Sequence, residues 1–427
     1  MEISGFDIIS ILQFYYRSTM DKHQKCKFTL SVREKTIPDY QSYLGNQCTI
    51  KDDDFEFSGI ITKVIRTRNI SGTTLKVTVQ GNSIDFDKQK KFRVFQYEQK
   101  KVSDILKYSM PDIQCNADVI IKPIIVQQEE TDWQFIKRLA KYLGKHIFWG
   151  KEKWFGEPKG IAIPIEENDI LAIKEVFNIK GNTLVCQIRK KLELGQKISY
   201  YKKEYFVKKV EYMQIRARYI YQYYLQEILQ ETDTTPLPNY YLTAKVKQNQ
   251  DNAKMGRVCV EFCAPYEDVM AKKAMWLDCD TFFASKDFGM VCIPSIGDIV
   301  SVQIHNEKAS VQSVKRTEAY SKQYSDCNTK YILIDENTHF EINDKHFYFD
   351  NNHLKFEISK EEMLVQLDKI QIQIKNDAIL FHTDKTDIAL SSGTKIKTEE
   401  IQIEGKNNFN VIAEKVNIQG KSGVSIN

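Results

Sequence analysis

At 427 residues and 42% hydrophobic content, the chain is long enough for roughly two to four domains with ordinary cores, which excludes a disordered polymer. Its net charge of +4 is unevenly placed: Lys plus Arg against Asp plus Glu is 38 to 30 over residues 1–235, 10 to 9 over 236–316, and 13 to 18 over 317–427. A groove that tracks phosphates needs a clear cationic excess, so the neutral middle segment argues against nucleic-acid binding.

No apolar run approaches the roughly 18 residues of a membrane-spanning helix. Met1-Glu-Ile-Ser-Gly5 lacks the basic-then-apolar pattern of a secretory signal, which gives cytoplasmic residence as the expectation. The nine cysteines, an odd number spread from Cys26 to Cys327 without paired spacing, are expected as reduced thiols.

Residues 1 to about 110 read as β-rich. Phe28–Val32 and Leu75–Val79 alternate at period two, and Phe57–Ile65 is a longer strand candidate. Val102–Tyr108 fits a short helix with Ser103 as N-cap. The strongest helical signal is Glu130-Thr-Asp-Trp-Gln-Phe-Ile-Lys-Arg-Leu-Ala-Lys-Tyr-Leu-Gly144. Thr131 caps it with Gln134 as capping-box partner, Asp132 suits the first turn, and Gly144 stops it. Trp133, Ile136, Leu139, Ala140 and Leu143 fall on one face, with Lys137, Lys141 and, to one side, Arg138 on a solvated face. Short strands return from 145 to 235, with the Tyr-rich run Tyr219–Tyr224 expected to stack in an inter-subunit core rather than on sugars or bases. Thr232-Asp-Thr-Thr-Pro-Leu-Pro-Asn239 reads as a linker.

The stretch from Tyr240 to Arg316 organises the rest. Val258/Val260/Phe262 and Val300/Val302/Ile304 alternate with polar residues, as half-buried strands do. Gly256, Gly289 and Gly297 open strands where a turn calls for positive φ, and Pro294 closes one where no ladder donor is needed. About five or six such strands predict a small closed barrel, most economically an OB fold. After Thr317 there is no Pro or Trp, and short alternating runs recur from Tyr331–Ile334 to Val416–Ile418, a quasi-repetitive β-structure of the solenoid kind. Its apolar faces are too narrow for one chain to bury, so three copies wound together are expected. Ile370, Ile372 and Ile374 would lie on one side and Gln371 and Gln373 outward.

Several residues invite a chemical reading. Cys259, Cys263, Cys279 and Cys292 lack the tight paired spacing of a zinc site, and Cys259 and Cys263 are expected to point away from the Val258/Val260/Phe262 face. His339, His346, His353 and His382 make no His-x-His pair. Glu129, Glu130 and Asp132 could serve acid–base chemistry, but the helix cap accounts for them. No catalytic residue, cofactor or metal is therefore assigned.

The pattern Gln-x-x-Glu-Thr-Asp-Trp-x-Phe-x-x-Arg-Leu-Ala, carried by Thr131, Asp132, Trp133, Phe135, Arg138 and Leu139, is the most specific motif. With Gly256-Arg-Val258-x-Val-x-Phe, Trp276 and Gly-x-x-x-x-Pro294-x-x-Gly297-Asp298-x-Val, it resembles the VgrG and phage baseplate hub-spike family. Gly81–Gln96, with its Asp-containing turn, basic cluster and aromatic-Gln end, looks like that family's hub. The resemblance implies a mainly β chain with a few helices: an α+β hub of barrel-like subdomains over 1–231, a linker over 232–239, an OB barrel over 240–316 and a trimeric β-helical needle over 317–427. It implies a non-enzymatic homotrimer in a contractile injection system, a type VI secretion system, tailocin or phage tail. Such a trimer caps an Hcp-type tube among baseplate proteins, carries a PAAR-type tip or effector cargo, and meets a target membrane only on firing. It would reside in the cytoplasm until fired outward. An OB nucleic-acid binder and an envelope-degrading tail enzyme are the alternatives. The short join from Thr317 to Lys330 leaves no room for the hydrolase insert that some phage relatives carry.

Overall fold

The computed structural model describes the chain except residues 34–39, 54, 71, 97–99, 180, 216–217, 229–233, 270–274, 283–291, 306, 316–327, 335–336, 385, 392–394, 399–413, 416, 418 and 420–427. The expected strands Ile401–Ile403 and Phe409–Ile412, and most of Val416–Ile418, lie outside the described residues. The chain forms two compact units, Met1–Thr317 and Glu318–Asn427.

Within the first unit, alternation builds the main sheet. Phe28, Leu30 and Val32 face inward from the strand Lys25–Val32, and register sets Phe28 against Val77 and Leu30 against Leu75 of Gly72–Gly81. All five are buried, and each fully buried side chain of this size contributes about 1.5–3 kcal/mol. The long strand Phe55–Asn69 flanks Gly72–Gly81 on its other side, and Ile8–Thr19 joins Lys25–Val32 to Lys203–Ile215 and Arg218–Glu227 in one 12-stranded sheet. The Tyr-rich run lies on Arg218–Glu227. Tyr221 stacks on Tyr212 with ring centres 4.4 Å apart. Tyr223 is fully buried, and its hydroxyl accepts the Leu192 N–H at 3.1 Å. The expected inter-subunit use is thus corrected for Tyr223: it is buried within its own chain, in a core that includes Phe148, Trp154, Leu192 and Leu194.

Two helices form a second core. The first, α1, spans Val102–Ser109. Its N-cap is Lys101 rather than Ser103, which sits in the first turn, where its N–H and hydroxyl donate to the Asp118 carboxylate. The second, α2, spans Asp132–Tyr142. The Thr131 hydroxyl accepts the Gln134 N–H while the Gln134 side chain accepts the Thr131 N–H, both at 3.2 Å, and Leu143 caps the other end before Gly144 turns at φ 62°. These bonds satisfy end groups that the helix leaves open. Trp133, Phe135, Ile136, Leu139 and Ala140 pack with Phe95, Ile105, Leu106 and Ile147.

The barrel closes in the order Tyr240–Gln248, Val258–Phe262, Trp276–Cys279, Lys308–Lys315, Ile299–His305. Leu242, Ala244, Val246, Val258, Val260, Phe262, Val300, Val302 and Ile304 fill it, the alternation read from the sequence. Cys259 is off the Val258/Val260 side and still buried, with Trp276 as its register partner.

In the second unit nine strands, from Lys330–Leu333 to Lys395–Thr398, each pair antiparallel with the next. Within the chain this is an up-and-down sheet, not the solenoid winding expected. Joins such as Lys360–Glu361, Asp368–Lys369 and Asn376–Asp377 are hairpin lengths that reverse direction at once. Register aligns Phe340, Phe349, Phe356, Val365, Ile372, Phe381 and Ile388 in one row across the sheet, and Ile342, Phe347, Ile358, Met363, Ile374, Ile379 and Leu390 in a second row on the same face. Gln371 and Gln373 lie on the other face.

Candidate functional site

The candidate site is the seam where the helical core meets the barrel, and strand Lys90–Phe95 organises it. On one side this strand pairs antiparallel with Ile125–Thr131, which leads into α2. On the other it pairs in parallel with Glu267–Val269, a short strand that follows the barrel strand Val258–Phe262. One row of backbone bonds therefore ties the α2 motif to the barrel. Val94, Ile124 and Val126 complete the link by joining the barrel's core.

Side chains follow the same line. The Arg93 guanidinium donates to Asp132 at 2.8 Å and to Glu267 at 3.1 Å, and Lys91 is the second cation on Asp132. The side chains of Arg93 and Asp132 are 9% and 7% exposed, so the two charges stand largely outside water and depend on each other. Gln127 donates to Asp132 at 3.1 Å. The Tyr108 hydroxyl of α1 donates to Glu267 at 2.7 Å, and this bond, with Arg93 beside it, holds the Glu267 carboxyl below the usual range. Next along the strand, fully buried Gln96 donates to the Val260 carbonyl at 2.9 Å and to Asp268 at 2.5 Å. Asp268 also accepts the Phe262 N–H at 2.8 Å. At the rim the Tyr142 hydroxyl donates to Glu307 at 2.7 Å.

The motif residues take distinct places. Asp132 is the pivot of the seam, whereas acid–base chemistry or the helix cap alone had been the alternatives for it. Arg138, expected on a solvated face, instead forks onto Glu130 at 2.8 and 2.6 Å and donates to the Val126 carbonyl at 2.6 Å. Its guanidinium is drawn inward because the strand Ile125–Thr131 presents a carboxylate and an open carbonyl to it. Phe135 stacks on Phe95 with centres 5.7 Å apart, and Leu139 is buried below it. Trp133 meets His23 at 4.2 Å and Trp149 at 5.9 Å.

The barrel residues gather elsewhere, near the end of Tyr240–Gln248. Gly256 and Gly297 adopt φ of 69° and 100°, a region costly for other residues. The Gly297 N–H donates to the Val246 carbonyl and the Val246 N–H to the Asp298 carbonyl, both at 2.9 Å. The Asp298 carboxylate accepts the Ser295 N–H at 2.9 Å, and the Pro294 carbonyl accepts from Asn249 at 3.1 Å. Val258 is in the core, and Trp276 is half-buried on the wall.

Arg93, Glu267 and Asp268 were not singled out in the sequence, and Gln127 entered only as the opening Gln of the α2 motif. Arg93 and Glu267 are 174 residues apart, and no local spacing marks such a pair. Gln96 left one trace, the aromatic-Gln end of the basic segment.

A Ser-His-Asp string also appears. His23 Nδ1 lies 2.8 Å from Ser83 Oγ and Nε2 lies 3.2 Å from Asp87, whose other oxygen accepts the Thr131 hydroxyl. Ser83 has no exposure at all, so its hydroxyl cannot meet a substrate. The string's work is structural, tying the turn before Gln24 to the α2 cap. Burial pushes the His23 pKa down. A depressed imidazole stabilises the fold while neutral, so this contribution is complete above the ordinary 6.5 and is lost as pH falls through the lower folded value. Melting temperature should therefore drop more steeply below pH 6.5 in the parent chain than in His23→Gln, and parallel curves would contradict the placement.

Among the described residues, no group of His, Cys, Asp or Glu could hold a metal ion, and no helix is long and apolar enough to cross a membrane. The cysteines among them are free.

Residues 242–311 match the family described as the type VI secretion system/phage-baseplate injector OB domain. No curated protein matches the chain. Among solved structures, an E. coli component of the type VI secretion system, itself structurally similar to the T4 bacteriophage tail proteins gp27 and gp5, superposes with a TM-score of 0.54 at 14% identity, covering 74% of this chain and 99% of that one. A tail protein from Neisseria meningitidis (TM-score 0.40, 12% identity, 53% of this chain and 94% of that one) and a prophage MuSo2 tail protein from Shewanella oneidensis (0.39, 9%, 52% and 94%) are more distant. The barrel thus resembles the injector family by sequence, and the wider chain shares the fold of the E. coli component.

Proposed function

We propose that this chain is a spike or tail protein of the phage-baseplate or type VI secretion kind and works as a homotrimer whose second unit is a rigid needle and whose first unit seats it on a tube. The observation that carries the reading is the apolar face of the nine-stranded sheet. Its two rows of Phe, Ile, Leu, Val and Met run from strand to strand with no second layer over them among the described residues of this unit: Ile358 is 43% exposed, Ile374 40% and Phe381 38%. A single sheet with one bare apolar face gains too little to offset the roughly 1–2 kcal/mol per residue of backbone ordering, and a bare patch of that size draws a partner. Three copies with these faces turned to a common axis bury them and leave the face of Gln371, Gln373, Glu357 and Lys355 to water.

The mechanism is mechanical. The seam transmits thrust from the helical core to the barrel through paired charges and a shared strand ladder rather than a flexible link. Tube, tip and cargo proteins of the Hcp and PAAR kinds, and other baseplate components, are the proposed partners. Assembly in the cytoplasm and release outward on firing complete the proposal, which assigns no catalysis. Phe356→Asp places a charge in the middle of the first apolar row. By sedimentation the parent chain should be a trimer and this variant should not, and a trimer kept intact by Phe356→Asp would refute the buried face.

A further inference from the structure

Gln96 and Asp268 bind each other in a way that leaves something over. Gln96 Nε2 donates to the Val260 carbonyl and to Asp268 Oδ2, and Asp268 Oδ2 also takes the Phe262 N–H. The remaining oxygens, Gln96 Oε1 and Asp268 Oδ1, are both buried and have no partner among the described residues. Both are acceptors when the acid is ionised, and burying acceptors unpaired is costly. Turning the amide over would not help, because its oxygen would then face the Val260 carbonyl and the carboxylate. One proton resolves both: a carboxylic acid and a carboxamide side by side form a two-bond ring in which the acid O–H donates to the amide oxygen while the amide N–H donates to the acid carbonyl.

We propose that in acid the folded protein holds Asp268 as a protonated carboxyl that donates from Oδ1 to Gln96 Oε1, and that loss of this proton to solvent toward neutral pH loosens the clasp between barrel and helical core. The groups around it favour the neutral form. Among the described residues, Glu261 on Val258–Phe262 adds negative charge, offset by Lys247. Glu267 beside it is committed to Arg93 of Lys90–Phe95 and Tyr108 of α1, so the nearby guanidinium is already engaged. Burial, the largest cause, pushes the Asp268 carboxyl up to about 6 from 3.8. The sign follows: a carboxyl raised in the folded state gives stability that is whole below 3.8 and is lost as pH rises through about 6. The clasp is tight in acid and weaker at neutral pH, the opposite of an ordinary ion-paired carboxylate. This inference rests on the seam alone and stands apart from the trimeric reading.

Asp268→Asn is the neutral mimic, since its amide can donate where the acid O–H does. Two measurements decide. Infrared spectra of the full chain, parent minus Asp268→Asn, should show a protonated carboxyl band that disappears with a midpoint near 6. Hydrogen exchange at the Phe262 amide, as the ratio of parent to variant protection, should fall as pH rises from 4 to 8, by roughly 100-fold at most. A carboxyl that titrates near the ordinary 3.8, or a protection ratio that does not change with pH, would overturn the proposal. If Asp268→Asn fails to fold, the infrared titration of the parent chain with labelled aspartate carboxyls decides alone, by the presence or absence of a carboxyl near 6.

Discussion

Replacing Arg93 with alanine should destabilise the unit Met1–Thr317 by about 3–5 kcal/mol, the cost of breaking a buried ion pair by removing one partner. The size follows from what is left behind. Asp132 keeps Lys91, a third exposed and therefore partly screened, but loses the guanidinium that meets it out of water, and Glu267 loses its tie across the seam. Asp132→Ala should cost a similar amount, and the double variant less than the sum, because each single change strands the other's charge. Denaturant unfolding of the four proteins measures this. Additive losses would mean that Arg93 and Asp132 do not act as a pair, and an unchanged midpoint for Arg93→Ala would remove the seam from the account.

The second large effect is expected at Trp133. Its indole is 4% exposed, stands edge-on to Trp149 and lies over His23, so truncation to alanine leaves a cavity that rigid neighbours cannot fill. About 3–5 kcal/mol is the usual cost. Because α2 starts one residue earlier and carries the Asp132 pivot, the loss should reach the seam, and the variant should assemble poorly. A Trp133→Ala protein with parental melting and parental oligomeric state would show that the indole is not part of the core that positions the barrel.

Local features were legible in the sequence. The Thr131 cap, the apolar face of α2 and the inward residues of the barrel strands are written in spacings of two to four residues, and helix and strand periodicity expose such spacings directly. Partnerships across the chain were not. Arg93 reads as one more cation in a basic cluster, and nothing marks Asp268, until the parallel ladder brings Glu267–Val269 beside Lys90–Phe95. Arg138 illustrates the limit: helical spacing puts it toward solvent, and a carboxylate and a carbonyl on the preceding strand pull it in. In the tail the alternating residues announced strands, but alternation is the same whichever way a strand runs. Only the hairpin-length joins separate an antiparallel sheet from a winding.

If two further copies of the chain cover the bare face of the tail, the mass of the protein in solution must show it. Light scattering on the full chain at micromolar concentration should give three times the 49.9 kDa of one chain, and a chain shortened to end near Thr317 should lose that trimer or hold it weakly. A full-length chain that is monomeric under the same conditions, with its β-structure intact by circular dichroism, would contradict both the needle and the spike.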